Sequence, residues 1–169
     1  FDRYVETFLA LHEQGEADRL IFIGDLVHGY GTEEEDASVR MVLRVMELQE
    51  RLGKDNVILL LGNHEMPHIY GVSLAKGNLE FTPRFEHQMG GHRKKIVEFF
   101  MTLPFVVRTP GGVLFSHAGP DESSINRAGR LRRFDHLELL RDAERNLKSH
   151  PNLDEVYAAY EQLSGQSYE

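Results

Sequence analysis

Residues 57–65 of the chain read VILLLGNHE. A continuous apolar run of this length suits a strand that is buried on both faces, as in a parallel sheet. Gly62 then lets the backbone turn sharply and leaves room beside it for an ion or a phosphate. In sheets with helical cover, the chemistry gathers beyond the carboxyl ends of the strands. This stretch therefore predicts a buried strand that delivers Asn63 and His64 to one edge of a sheet.

Two other apolar runs end in polar residues in the same way. Residues 19–24, RLIFIG, are followed by Asp25, and residues 112–116, GVLFS, are followed by His117. The first of these runs predicts a second buried parallel strand. We therefore expect Asp25 and His117 to meet Asn63 at one edge of the sheet, although the three residues are far apart in sequence.

The other elements are predicted from apolar spacing and turn residues. Residues 105–109 and 112–116 flank Pro110 and Gly111 and predict a hairpin or two adjacent strands. Residues 66–92 contain two prolines and several glycines and predict a long irregular segment, which in a compact domain is commonly functional. Apolar residues recur at helical spacing in the remaining stretches: residues 1–15, 39–53, 94–103 and much of 121–169.

The alternation of helices and strands indicates an α/β fold with helices covering a sheet. We predict one domain over residues 1–169, with the motifs in a core at 1–120 and a helical insertion or cap at 121–169. Within that helical segment, Asp135 with Glu138 and Asn152 with Glu155 have the spacing of a capping box.

Composition limits the kind of partner. Apolar residues make up 41% and charged residues 27% of the chain, which excludes a largely disordered protein. The formal net charge of -8 disfavours nucleic acid and anionic lipid as partners of the surface as a whole. The absence of cysteine excludes disulfides, thiolate metal sites and cysteine nucleophiles. We expect no nucleic-acid partner, no membrane association and a cytoplasmic location, and the oligomeric state stays open.

The residue types at the three strand ends suit divalent cations. Carboxylate and amide oxygens with imidazole nitrogen are ligands for Mn, Fe, Zn or Co. A pair of such ions clamps a phosphate group and lowers the pKa of a bound water. His64, beside Asn63, is placed to protonate a leaving oxygen. Taken singly, each residue also fits a turn, a helix cap or a hydrogen-bonded strand end, and it is their joint occurrence that favours a metal site.

Three motifs carry a resemblance to a known family. GDxV at 24–27, GNHE at 62–65 and HAG at 117–119 resemble the calcineurin-like metallophosphoesterase superfamily. Their order and spacing are most similar to the phosphoprotein phosphatases of the serine/threonine type and their bacterial relatives. The resemblance implies a β-sandwich with flanking helices and a hydrolase of phosphate esters that uses two divalent metal ions.

The family roles follow by position. Asp25 would bridge both metals, and Asn63 and His117 would bind the second metal. A metal-activated hydroxide would attack phosphorus while His64 protonates the leaving group as general acid. Glu65 would support the GNHE turn.

The substrate implied is a phosphoprotein or a small phosphoester, and His28, Asn63 and His68 are candidates to contact it. A dinucleoside polyphosphate hydrolase with the same centre is the alternative enzyme. A binding module that has lost its metal site is the alternative from another class.

Two departures from the family pattern concern the metal site and the phosphate contact. The opening GDxHG motif and the closing histidine motif do not occur in residues 1–169, so we expect a fragment truncated at both ends that is inactive by itself. The stretch GDLVHGYG places His28 and Gly29 where the phosphatases usually have Asp and Arg. His28 can still pair with His64, but Gly29 cannot make the bidentate phosphate contact of an arginine. Basic residues elsewhere are candidates for that contact: Arg93, Lys94, Lys95, Arg127, Arg130, Arg132 and Arg133.

Overall fold

The structure is a computed structural model of the chain, and it describes residues 1–29, 32, 34–76, 79–119 and 134–149. The chain forms two compact units, Phe1–Leu131 and Arg132–Glu169. Helices and strands are mixed, so the predicted α/β class is confirmed. The assignment of the whole chain to one domain stays a prediction.

The first unit contains the parallel strands β1 (Leu20–Phe22) and β2 (Val57–Leu59), which pair from Leu20 opposite Val57. Both predicted strands are therefore confirmed. β2 is almost wholly buried, but the residues of β1 are only half-buried and the following Ile23 is 56% exposed. The expectation of a fully buried β1 is wrong because, within the described residues, β2 is its only strand neighbour.

A helix precedes each of these strands, as the apolar spacing predicts. α1 spans Asp2–Glu13 and α2 spans Ser38–Leu52. α2 stops at Gly53, whose φ of 93° lies in the left-handed region that favours glycine. Each helix presents apolar side chains to the core: Val5 and Phe8 from α1, and Val42, Val45 and Leu48 from α2.

Residues 66–92 are mostly regular, so the prediction of a long irregular segment is wrong. The segment contains α3 (Met66–Tyr70), the short antiparallel pair β3 (Ala75–Lys76) and β4 (Leu79–Glu80), and α4 (Thr82–Met89). A 3-10 turn at Gly90–His92 follows. The two prolines of the segment lie in the first turns of α3 and α4, where the missing N–H has no helical partner to lose. They mark helix starts and not a loop.

α5 (Arg93–Phe100) and a hairpin follow, both as predicted. The hairpin pairs β5 (Val106–Arg108) with β6 (Leu114–Ser116) in antiparallel register. The backbone N–H of Leu61 donates to the carbonyl of Pro104 at 2.9 Å. This bond ties the segment after β2 to the segment that leads into the hairpin.

The core of the first unit joins helices α2, α4 and α5 to strand β2. Its side chains with no exposed surface include large aromatic and aliphatic groups from all four elements: Val42, Val45, Leu48, Val57, Leu59, Met89, Ile96 and Phe100.

The described part of the second unit is the helix α6 (His136–Ser149). Asp135 Oδ1 accepts hydrogen bonds from the backbone N–H groups of Leu137 at 2.8 Å and Glu138 at 3.1 Å. The helix start predicted from the spacing of Asp135 and Glu138 is therefore confirmed, whereas Asn152 and Glu155 lie outside the described residues. Among the helices in the described ranges, none has the length and apolar character that crossing a bilayer requires.

The core identifies a position for a stability test. Phe100 has no exposed surface and packs against Phe85, with ring centroids 6.4 Å apart. We expect Phe100→Ala to lower the free energy of unfolding by about 3–5 kcal/mol, because it leaves a cavity that the helices cannot close. Tyr4→Ala, at a side chain that is 74% exposed, is the control and should change stability by less than about 0.5 kcal/mol in urea denaturation. Similar values for both variants would contradict this description of the core.

Candidate active site

One buried carboxylate joins the two parallel strand ends. Glu65 has no exposed surface, and its Oε2 accepts the backbone N–H groups of Asp25 at 3.0 Å and Gly62 at 2.9 Å. Its Oε1 accepts the N–H of Leu26 at 2.8 Å. The supporting contact expected for Glu65 is therefore present. Glu65 is the N-cap residue of α3, but its side chain makes no hydrogen bond to the first turn of that helix.

Burial and hydrogen bonding act in opposite directions on this carboxyl group. Burial raises the pKa of Glu65, while the N–H donors of Asp25, Leu26 and Gly62 stabilise its charged form. Both oxygens of Glu65 accept backbone hydrogen bonds, so both contribute to holding the two strand ends together.

Glycine is required where the strand ends approach each other. A Cβ at Gly62 would overlap Asp25 Oδ1 and lie 2.6 Å from Glu65 Oε2. A Cβ at Gly24 would lie 2.8 Å from His117 Nδ1 and 2.9 Å from Gly62 Cα. The two glycines of the GD and GNHE motifs therefore permit the backbones and the ring to pack this closely.

The structure brings together the three side chains that the sequence proposes as metal ligands. Asp25 has a φ of 54°, and its Oδ1 accepts the N–H of His64 at 3.0 Å. Its second oxygen, Oδ2, lies 3.3 Å from His117 Nε2 and 3.9 Å from His64 Nε2. Asn63 Oδ1 lies 3.0 Å from the same His117 Nε2. One Asp25 oxygen thus holds the GNHE turn and the other faces the cluster.

The ring of His117 is oriented by the backbone. Its Nδ1 lies 2.6 Å from the carbonyl oxygen of Ile23, and a carbonyl can only accept, so Nδ1 carries a proton. In the neutral ring Nε2 then has a lone pair, and this lone pair faces the oxygens of Asp25 and Asn63. His117 Nε2 thus contacts two oxygen acceptors, and a cation or a proton between these atoms stabilises the arrangement. A histidine with its other nitrogen bonded to a carbonyl is also the usual arrangement of a metal ligand.

This donor set fits one divalent cation. A carboxylate oxygen, an amide oxygen and a neutral imidazole suit Mn, Fe, Zn or Co. Over the residues that the structure describes, no three His, Cys, Asp or Glu side chains are grouped to hold a metal.

A row of histidines leads away from the cluster. His64 Nδ1 lies 3.0 Å from His28 Nδ1, and His28 Nε2 lies 2.8 Å from His68 Nε2. His68 Nδ1 then lies 2.7 Å from Glu86 Oε1, and Glu86 Oε2 accepts from Arg93 Nε at 2.5 Å. The contact between His28 and His64 that the sequence allows is therefore present, and it continues to a carboxylate on α4.

The two inner rings of this row are buried. His28 is 3% and His68 is 1% exposed. Phe81 stacks on His28 at 5.4 Å, and Phe85 packs on His68 at 4.7 Å. Burial lowers the pKa of His28 to about 3, and the nearby rings of His68 and His64 act in the same direction. Burial also lowers the pKa of His68, although its hydrogen bond to Glu86 opposes the shift.

The places of His28 and His68 bear on their predicted contact with substrate. Both ring nitrogens of each residue lie within hydrogen-bond distance of another side chain. Their burial argues for support of His64 and against direct contact with a substrate. Asn63 lies at the cluster itself, and its contact with substrate stays a prediction.

A second buried carboxylate, Asp36, braces the loop after β1, and the sequence analysis missed it. Asp36 Oδ2 accepts from Arg84 at 2.7 Å, and Oδ1 accepts from the N–H of Ser38 at 2.9 Å. Arg84 also donates to the carbonyl of Gly29, whose N–H donates to Ser38 Oγ at 3.2 Å. Burial raises the pKa of Asp36, but hydrogen bonds from Ser38 and Arg84 outweigh it, and the pKa lies below its usual value.

Arg84 and Glu86 are not among the candidates from the sequence, because the prediction of an irregular segment over residues 66–92 places no helix there. The signal was present in the apolar spacing of Phe81, Phe85 and Met89, which is the spacing of one helix face. A helix in that place puts Arg84 and Glu86 on one element, next to the loop that carries His28.

The basic candidates for phosphate binding have different surroundings. Arg93 pairs with Glu86, and Lys94 is 88% exposed with its Nζ 3.9 Å from Glu98. Lys95 is exposed on α5, and its contact with phosphate stays a prediction. The other four candidates fall in the part of the chain that is not described: Arg127, Arg130, Arg132 and Arg133.

The comparison with protein families agrees with the strand-end cluster. The family model for calcineurin-like phosphoesterases matches residues 1–167. The chain belongs to this family. Calcineurin-like phosphoesterases are typically hydrolytic and generally depend on two metal ions. No curated protein and no solved structure shows significant similarity to this calcineurin-like chain.

The link made by Glu65 can be tested by removing its charge and one acceptor. In Glu65→Gln the amide NH₂ group must face at least one of the three N–H donors, which leaves a buried donor unsatisfied. We expect the free energy of unfolding to fall by about 1–3 kcal/mol in chemical denaturation. Glu98→Gln, at a side chain that is 64% exposed, is the matched control and should change it by less than about 0.5 kcal/mol. Equal effects would show that Glu65 does not hold the strand ends together.

The low pKa of His28 predicts a dependence of stability on pH. The unfolded chain takes up a proton at this residue near pH 6.5, whereas the folded chain keeps the ring neutral down to about pH 3. A lowered histidine pKa contributes stability above pH 6.5 that is lost as the pH falls towards 3. The variant His28→Asn removes this titration, and asparagine tolerates the φ of 65° at this position.

As the pH is lowered from 6.5 to 3, we expect the free energy of unfolding to fall less steeply in His28→Asn than in the wild-type chain. The difference in slope corresponds to up to about one proton taken up on unfolding. Denaturant titrations across that range measure the difference. Parallel pH profiles of the variant and the wild-type chain would contradict the assignment.

Proposed function

We propose that the protein is a metal-dependent hydrolase of phosphate esters. In this proposal Asp25, Asn63 and His117 hold a divalent cation and His64 is the general acid. Membership of the calcineurin-like phosphoesterases supports the reaction class. The observation that carries the assignment of residues is the meeting of three donor atoms from three strand ends, with His117 Nε2 at 3.0 Å from Asn63 Oδ1 and 3.3 Å from Asp25 Oδ2.

The residues of the cluster have separate tasks in this reaction. When bound, a divalent ion would neutralise charge on the phosphate and lower the pKa of a water. Asp25 contributes Oδ2, since its Oδ1 is held by the N–H of His64. His117 contributes a neutral Nε2, since its Nδ1 proton is directed to the carbonyl of Ile23. The ligand atoms are thus oriented by backbone groups.

His64 is placed to move a proton at Nε2. Its Nδ1 contacts the buried ring of His28, while Nε2 lies 3.9 Å from Asp25 Oδ2. The side chain is 22% exposed, so a leaving oxygen can reach this nitrogen. When the ring carries a proton on Nε2, that proton is available to the departing alkoxide. A general acid in this position typically contributes about 10²–10⁴-fold to the rate.

The substrate class follows the resemblance to phosphoprotein phosphatases, with one change. We propose a phosphoprotein or a small phosphoester as substrate. Gly29 offers no side chain to the phosphate, and Arg84 binds the carbonyl of Gly29 and the carboxylate of Asp36. The phosphate contact that an arginine makes in those enzymes is therefore assigned to the cluster itself, through Asn63 and His64.

The role of His64 is tested by comparing the turnover of substrates with different leaving groups by the protein with added Mn²⁺. We expect His64→Ala to lower kcat by about 10²–10⁴ on an alkyl phosphate, whose leaving group must be protonated. The loss should be much smaller on p-nitrophenyl phosphate, whose leaving group departs as a stable anion. His92→Ala, at an exposed histidine outside the cluster, is the control and should leave both rates unchanged. Equal losses on both substrates would reassign His64 to binding or to structure.

A further inference from the structure

The row of histidines has a property that follows from the number of donors in each ring. A neutral imidazole has one N–H donor and one acceptor nitrogen. The contacts of His28 with His64 and His68 join nitrogen to nitrogen, at 3.0 Å and 2.8 Å. Each contact needs one donor and one acceptor. If the tautomer of one ring is fixed, the tautomers of the others are therefore fixed as well.

The end of the row at Glu86 decides the direction. An ionised carboxylate can only accept, and an arginine can only donate. Glu86 binds Arg93 through Oε2 and His68 Nδ1 through Oε1. Its pKa lies below the usual value, because hydrogen bonds from His68 and Arg93 outweigh the opposing effect of burial. His68 Nδ1 must therefore carry the proton that is donated to Glu86.

The remaining positions follow ring by ring. With its proton on Nδ1, His68 accepts at Nε2, so His28 must donate from Nε2. His28 then accepts at Nδ1, so His64 donates from Nδ1. The opposite order would place a lone pair of His68 2.7 Å from a carboxylate oxygen. The low exposure of His28 and His68, covered by Phe81 and Phe85, keeps water from competing for these bonds.

We propose that Glu86 is a positioning residue which, through His68 and His28, holds His64 with its Nδ1 proton directed inwards and its Nε2 facing Asp25. The inference deepens the proposed function, because it leaves Nε2 as the nitrogen of His64 that faces the cluster, so that a further proton taken up by the ring lies where a leaving oxygen can receive it. It also accounts for His28 at the position where similar phosphatases have an aspartate. The carboxylate is here supplied by α4, two rings further from the site.

The tautomers can be measured directly, without substrate or metal. Long-range ¹⁵N–¹H correlation spectra of the histidine-labelled chain at neutral pH separate Nδ1–H from Nε2–H rings. We expect His68 as the Nδ1–H form and His28 as the Nε2–H form. The opposite assignment in the wild-type chain would overturn the proposal, and this measurement needs no substitution.

Removal of the Glu86 carboxylate should leave the tautomers of His28 and His68 unfixed. In Glu86→Leu we expect His28 and His68 to show mixtures of tautomers, whereas Glu98→Leu on α5, at an exposed side chain, should leave both rings as in the wild type. Glu86→Gln keeps an acceptor at the same place and should retain most of the order if the leucine variant does not fold. Unchanged tautomers in a folded Glu86→Leu chain would show that Glu86 does not set them.

The kinetic consequence is measured in the protein with added Mn²⁺. We expect Glu86→Leu to lower kcat on an alkyl phosphate by about 10–100-fold, with KM and turnover of p-nitrophenyl phosphate nearly unchanged. Glu86→Gln should restore most of the lost rate. If Glu86→Leu loses the tautomer order but its kinetics do not change, Glu86 sets the tautomers without positioning His64 for the reaction, and the proposal is overturned. If His64→Ala shows no leaving-group dependence, the proposed function fails while the spectra still decide the tautomers.

Discussion

The site depends on one buried carboxylate that accepts three backbone N–H groups from two strand ends. Glu65 binds Asp25 and Leu26 after β1 and Gly62 after β2, so the two loops cannot move apart without leaving a buried charge unsatisfied. Leaving a buried polar group without its hydrogen-bond partner costs more free energy than the hydrogen bond itself contributes. The bonds to Glu65 therefore restrict how far the two loops can separate. The close approach that it imposes explains why Gly24 and Gly62 admit no side chain. The positions of Asp25 and His64 follow from this link.

The carboxylates in and around the cluster have two kinds of role: Glu65, Asp36 and Glu86 hold neighbouring groups in place, and Asp25 faces the cluster. Asp36 fixes the loop that carries Gly29, and Glu86 fixes His68 behind His28. Each is bonded to an arginine or to backbone N–H groups, which is how buried charge is normally accommodated. Asp25 differs, since only one of its oxygens is used by the backbone. The other lies 3.3 Å from His117 Nε2, which also contacts Asn63 Oδ1, and a cation would complete this arrangement.

Much of this arrangement could be predicted from the sequence because it depends on local signals. Apolar runs that end in Gly-Asp, Gly-Asn-His and Ser-His locate the strand ends, and the rule that ligands gather there brings Asp25, Asn63 and His117 together. The supports could not be predicted in the same way. Arg84 and Glu86 act across long sequence distances, and their helix was obscured because Pro67 and Pro83 resemble loop markers when they are helix starts. The partial burial of β1 could not be predicted from the sequence either, because an apolar run does not show how many strands or helices will pack against it.

The central claim is that three strand ends form a cation site in a calcineurin-like phosphoesterase. The most direct measurement is anomalous diffraction at the zinc edge from crystals of the chain grown with Zn²⁺. We predict a single strong peak in contact with Asp25 Oδ2, Asn63 Oδ1 and His117 Nε2, which disappears in crystals of His117→Ala. A zinc peak elsewhere on the chain with none at these atoms would contradict the account.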